Sequence, residues 1–272
     1  MRPRLPPLNA LKAFEAARAN EVRYMAADPF YPHDHYFHNE LFLIYTLGAL
    51  GRYKDAITES RNLMSVPETT SEHDATDGSS SYRTGWFSLM RTLVRFEKWD
   101  EILDGRTLPF YDKPAEASWY YWARTLAHAE KGNAREARAD ASDMDFQLAR
   151  FKSLFGLVTP QLYAARAEAD AEVSGKPADF DRALRLEADM LYIEPPTYPR
   201  PILESLARRA LRKNDFKTAE ILYRKLLSRE PGSGRALWGL SEALAGQGRA
   251  AEAQPVREEF RKAWANADPD LP

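Results

Sequence analysis

A period of 34 residues near the C-terminus constrains this chain more than any other feature. Between residues 199 and 231, Leu203, Leu206, Ala207 and Ala210 form one apolar stripe, Asn214-Asp215-Phe216 form a turn, and Ala219, Tyr223 and Leu226 form a second stripe. Spacings of three and four put each set on one helix face, so the segment predicts two amphipathic helices. Pro231 closes the second, because proline has no donor and clashes with the preceding turn. The pattern returns 34 residues later as Leu237, Leu240, Ser241 and Leu244, the turn Gly248-Arg249-Ala250, then Ala253, Arg257 and Phe260. A hairpin of this kind cannot bury its apolar face alone, so repeated copies are expected to stack.

Four more units align on the turn. Gly51-Arg52-Tyr53-Lys54-Asp55-Ala56-Ile57 follows a helix expected over 39–50, and Glu97-Lys98-Trp99-Asp100-Glu101-Ile102 follows one over 83–96. Gly132-Asn133-Ala134-Arg135-Glu136-Ala137 follows one over 117–131, and Asp179-Phe180-Asp181-Arg182-Ala183 leads a helix expected to run to about Ile193 and close at Pro195-Pro196. From Ala56 through Ile102, Ala137, Ala183 and Ala219 to Ala253 the intervals are 46, 35, 46, 36 and 34 residues. One long interval holds the polar run 67–81, expected to be a surface loop. The other is an insertion within 145–175, where Phe146, Leu148, Phe151, Leu154, Phe155, Leu157 and Val158 predict an extended helix packed on its neighbours, with Gly175-Lys176-Pro177 as a short break.

The 34-residue hairpin with small residues at the helix crossing resembles the tetratricopeptide repeat. The resemblance implies an all-α, tetratricopeptide-like α-solenoid of about six helix-turn-helix hairpins over residues 37–265, a capping segment over 1–36 and a tail over 266–272. Tyr31-Pro32, Tyr36-Phe37-His38-Asn39, Phe42-Leu43, the run Val94 to Leu103 and Trp119-Tyr120-Tyr121-Trp122-Ala123-Arg124 are similar to one bacterial group of tetratricopeptide proteins. Members of that group usually carry further repeats upstream, so this chain resembles their C-terminal portion. The similarity implies membership without naming an activity. Leu5 to Ala17 is similar to the opening helix of LysR-type transcription regulators, but no basic recognition helix follows. A solitary helix capping the stack is the expected role of this segment.

Composition narrows the function classes. The chain has 38 basic and 40 acidic residues, a formal net charge of -2, so it shows no nucleic-acid footprint. With no cysteine it can form neither a disulfide framework nor a thiolate site, in keeping with a reducing cytoplasm. The longest apolar stretch, Leu41 to Leu50, is half of the roughly 20 residues a membrane span needs. Residues 1–7 lack the apolar core of a secretory signal. Phosphate-loop, G-x-S-x-G and H-E-x-x-H motifs are missing, so catalysis is not expected.

Two constellations remain. His33, His35 and His38 lie within six residues and could ligate a transition metal such as zinc or iron, in a metal-binding protein or metal-dependent enzyme. The bland alternative is that Asp34 or Asn39 caps the first repeat helix. In tetratricopeptide arrays the first helix of each hairpin lines a concave groove where peptides dock. Carried over by resemblance, the groove residues are Tyr45, Phe87, Arg91, Arg95, Trp119, Trp122, Arg208 and Arg212. Arginines four apart share a helix face, and guanidinium groups beside aromatic rings suit a carboxylate-bearing, acidic protein or peptide partner. Solvated arginines and core tryptophans are the competing reading. The expected function is an interaction scaffold that needs no cofactor.

Overall fold

One turn geometry recurs five times in the computed structural model, which describes residues 7–28, 30–31, 33–67, 80–191 and 193–269. Gly51, Glu97, Gly132, Asn214 and Gly248 all have left-handed backbone, with φ of 76°, 53°, 78°, 58° and 77°. The N–H that follows each one donates to the carbonyl five residues earlier: Arg52 to Leu47, Lys98 to Leu93, Asn133 to His128, Asp215 to Ala210 and Arg249 to Leu244, at 2.8–3.0 Å. This bond satisfies a carbonyl that the end of a helix leaves without an intrahelical donor. The next helix begins two residues after each left-handed residue. Five residues after it stand Ala56, Ile102, Ala137, Ala219 and Ala253, each with 0% of its surface exposed.

Thirteen helices and no strand occur among the described residues: α1 Pro7–Ala27, α2 Asp34–Ala49, α3 Tyr53–Met64, α4 Ser81–Arg95, α5 Trp99–Leu103, α6 Pro114–Glu130, α7 Ala134–Phe155, α8 Pro160–Ser174, α9 Pro177–Ala188, α10 Ile202–Arg212, α11 Phe216–Arg229, α12 Gly234–Gly246 and α13 Ala250–Ala263. Packing is chiefly between neighbours in sequence, as in α1 on α2, α2 on α3, α6 on α7, α8 on α9 and α12 on α13. The fold is therefore all-α and built from consecutive helical pairs. It forms two compact units, Met1–Thr92 with Ala210–Pro272, and Leu93–Arg209. Their boundaries fall inside α4 and α10. None of the described helices is long and apolar enough to cross a membrane.

In the first unit α1 packs on α2. Leu11 is buried with Phe37, Leu43 and Leu47, and Phe14 stacks on Phe42 at 5.2 Å. Arg18 adds an ion pair to Glu59 at 2.8 Å and approaches Glu40 at 3.7 Å. The first six residues, most of the run 67–81 with its His73, and the last three residues of the tail lie outside the described residues.

Several boundaries differ from expectation. α2 starts five residues early, at Asp34, with His33 in the capping position, so Asn39 lies inside the helix. α5 has only five residues, because the Asp104 carboxylate accepts from the Arg106 and Thr107 N–H groups at 2.7 and 2.8 Å and wraps the chain into a turn. These bonds to the charged form, led by the Thr107 hydroxyl, hold the Asp104 carboxyl below its ordinary value. α9 ends at Ala188 rather than near Ile193, and Gly175 and Pro177 shift its start by three residues relative to the other turns. α7 does extend into the insertion, and Leu148 and Val158 are buried. Phe146, Leu154 and Leu157 are not packed: they are 64%, 67% and 60% exposed.

Candidate functional site

The second unit buries a polar cluster at the junction of α6, α8 and the segment leading into α10. Its centre is Glu168 of α8, which is fully enclosed. One carboxylate oxygen accepts from the Trp122 indole N–H at 3.1 Å and from the Tyr198 hydroxyl at 2.5 Å, and the other from the Ser205 hydroxyl at 2.5 Å. Burial raises the Glu168 carboxyl; the Arg200 charge and the three donors oppose that shift. The Tyr198 hydroxyl is raised well above its ordinary value by burial and by the same carboxylate. Trp119 packs edge-on against Trp122 at 5.3 Å and against Tyr198 at 5.8 Å.

Arg200 and Arg208 meet Glu97, the one acidic residue among the five left-handed turn positions. Glu97 accepts from Arg200 at 3.3 Å and is paired with both donor branches of Arg208. Burial works against the Arg200 charge, but Glu97, Glu168, Glu204 and Glu130 outweigh it and keep the guanidinium charged. One turn beyond Glu168, Glu172 accepts from Arg209 at 3.1 Å, while its other oxygen has no hydrogen-bond partner among the described residues. Burial, then Glu130 and Glu168, push this carboxyl up to about 7 against the opposing Arg200 and Arg209 charges. Gly175 leaves the room Arg209 needs, since a Cβ there would collide with its guanidinium.

Three of the expected groove residues, Trp119, Trp122 and Arg208, thus belong to one cluster, although both tryptophans are buried. Arg95 is buried in the same unit. In the first unit, Arg91 is buried with its guanidinium over the rings of Tyr45 at 5.6 Å and Phe87 at 5.0 Å, so these three come together as well. Both rings are half-buried, and Arg212 is exposed at the end of α10. Arg91 and Arg95 are therefore structural parts of α4 rather than solvated charges. The sequence does not mark Glu97, Glu168, Glu172, Tyr198 and Arg200 as a site, because the carboxylate contacts that join them span 30 to 111 positions and no motif links them.

The histidines open the first unit. His35 and His38 are exposed on the first turn of α2, His38 lies edge-on to Phe42 at 5.1 Å, and the Nδ1 of His33 is enclosed without a hydrogen-bond partner among the described residues. No group of three metal-ligating side chains occurs among the described residues. A looser dyad joins His128 Nε2 to Asp140 at 3.5 Å, with Arg124 on the same carboxylate at 3.2 Å. Burial lowers the His128 imidazole, and Asp140 and Glu136 oppose that shift.

No protein-family model matches the chain, and no curated protein matches it.

Proposed function

We propose that this chain is a tetratricopeptide-like α-solenoid that binds a protein or peptide partner without turnover. The repeated left-handed turn followed five residues later by a fully buried residue, alanine at four of the five turns, supports the repeat assignment. The observation that carries the binding reading is the arrangement of Tyr45, Phe87 and Arg91 on α2 and α4. Two half-buried rings flank a buried guanidinium, which fixes them and places positive charge behind them. Rigid aromatic area with a cation at its base suits an extended segment carrying both carboxylates and apolar side chains. The reading requires no metal or other cofactor.

A random peptide library displayed on phage and selected against the full chain tests this. Selected sequences are expected to be rich in Asp and Glu. Tyr45→Ala or Phe87→Ala should weaken the best peptide by about tenfold or more, the loss typical of an aromatic anchor. Arg91→Met, which keeps most of the side-chain volume, should weaken the acidic peptide more than its Gln-substituted form. A selection without acidic enrichment, or affinities unchanged in all three variants, would overturn the proposal.

A further inference from the structure

Within the first unit, the end of the last hairpin is tied to the first hairpin by one short segment. The Trp264 indole N–H donates to the carbonyl of Ala49 at 3.1 Å. The Asp268 N–H donates to the Gly51 carbonyl at 3.0 Å, and the Asp268 carboxylate accepts from the Lys54 N–H at 2.7 Å. Lys54 stands in the first turn of α3, whose N–H groups have no intrahelical acceptor. A carboxylate delivered there from residue 268 does what a local capping residue would do. Arg52, which holds the local capping position, carries donors only: its side chain pairs with the Asp55 carboxylate at 2.6 Å and accepts from none of the N–H groups of the helix start.

Gly51 forms the floor of this contact. A Cβ at position 51 would lie 2.6 Å from Cβ of Ala267 and 2.8 Å from the Trp264 ring, whereas one at Gly132 or Gly248 would meet nothing within 4 Å. The three glycines share the same left-handed backbone, so residue 51 answers a second demand that the other two do not. Ala267 and Asp268, in the tail expected to begin at 266, thus lie against the first hairpin.

We infer that the Gly51–Lys54 turn is a docking notch for an indole followed four residues later by a carboxylate, and that segment 264–268 of this chain is its resident occupant. The segment is a latch between the sixth hairpin and the first, and it opens while the helices stay folded. Its hold on the first hairpin is three hydrogen bonds and the buried Trp264 ring, with no helix of its own laid against that hairpin, so its opening is placed among the low-stability motions of the fold. The inference requires no external partner and stands independently of the peptide-binding reading.

Amide hydrogen exchange on the full chain decides it. In Asp268→Ala, the Lys54 and Asp268 amides should exchange at least about tenfold faster, the loss expected for a charge-assisted bond. The amides of Leu63 and Leu226, inside α3 and α11, should keep their wild-type rates. Gly51→Ala and Gly248→Ala carry the same backbone cost, and only the first collides with the latch, so Gly51→Ala should lower Tm further. Unchanged exchange at Lys54 and Asp268 in Asp268→Ala would overturn the inference, as would equal Tm losses in the two glycine variants. If Gly51→Ala does not fold, Asp268→Ala alone decides.

Discussion

Glu97 holds a backbone conformation that the equivalent turns give to glycine or asparagine. A left-handed conformation costs a residue with a Cβ on the order of 1 kcal/mol. The carboxylate it delivers to Arg200 and Arg208 offsets that cost, because Arg200 is 1% exposed and its charge needs nearby carboxylates. Breaking a buried pair from one side is among the larger single-residue effects, but Glu168 also supports Arg200 and moderates it. Glu97→Asn and Glu97→Gly should therefore both lower stability by about 1–3 kcal/mol in urea denaturation, although each relieves the backbone. A gain in stability for either would mean that backbone strain, not the ion pair, dominates at this position. The turn at Glu97 was legible in the sequence from its alignment with Gly51 and Gly132. Its partners were not, since no spacing rule connects residue 97 to residues 200 and 208.

Helices were the most legible elements because amphipathic spacing and turn residues agree. Five of the six small positions fall on the fourth residue of their helix, and the exception, Ala183 of α9, is displaced because Pro177 begins the helix three residues earlier. Where the reading missed, a local interaction overrode the pattern. The Asp104 turn cuts α5 to five residues, and Phe146 and Leu154 of α7 lie in water although the sequence alone assigned them to packing. Residue size at the small position is matched to each pair. Ile102 stands where the other five units carry alanine, and it is enclosed as completely as they are. Ile102→Ala should cost about 2–5 kcal/mol through the cavity it leaves. Ala137→Ile, at the equivalent position of α7, should cost about 1–3 kcal/mol by overpacking. Thermal unfolding of both variants checks the pair, and a neutral Ile102→Ala would show that the α5 contact collapses around the smaller side chain.

At the scale of the molecule, composition excluded whole classes of chemistry but said nothing about which charges would be buried. A chain with nearly equal numbers of acids and bases can hide several of each, and this one encloses a strained carboxyl in each unit. Glu40, in the first unit, is pushed up to about 7 by burial and by Glu59 against the opposing Arg18. Glu172, in the second, reaches about 7 by burial and by Glu130 and Glu168. Both start from 4.5, so between about pH 4.5 and pH 7 the folded state binds more protons at these sites than the unfolded chain. Stability they contribute is complete below pH 4.5 and is lost as pH rises through 7. Asp140 and Glu168, also raised by burial, act with the same sign. The lowered carboxyls Asp104, Glu220 and Glu252 act only below their ordinary range, outside this window, while the lowered His128 imidazole acts inside it with the opposite sign and offsets part of the fall. The urea midpoint of the wild type should therefore fall between pH 5 and pH 8, with each of the two sites responsible for at most ~3 kcal/mol. Glu40→Gln and Glu172→Gln should each flatten part of that decline and be more stable than wild type at pH 8, and the double variant should flatten more of it than either alone. A wild-type midpoint that does not move between pH 5 and pH 8 would place both carboxyls in the ordinary range and remove the electrostatic strain assigned to the two units.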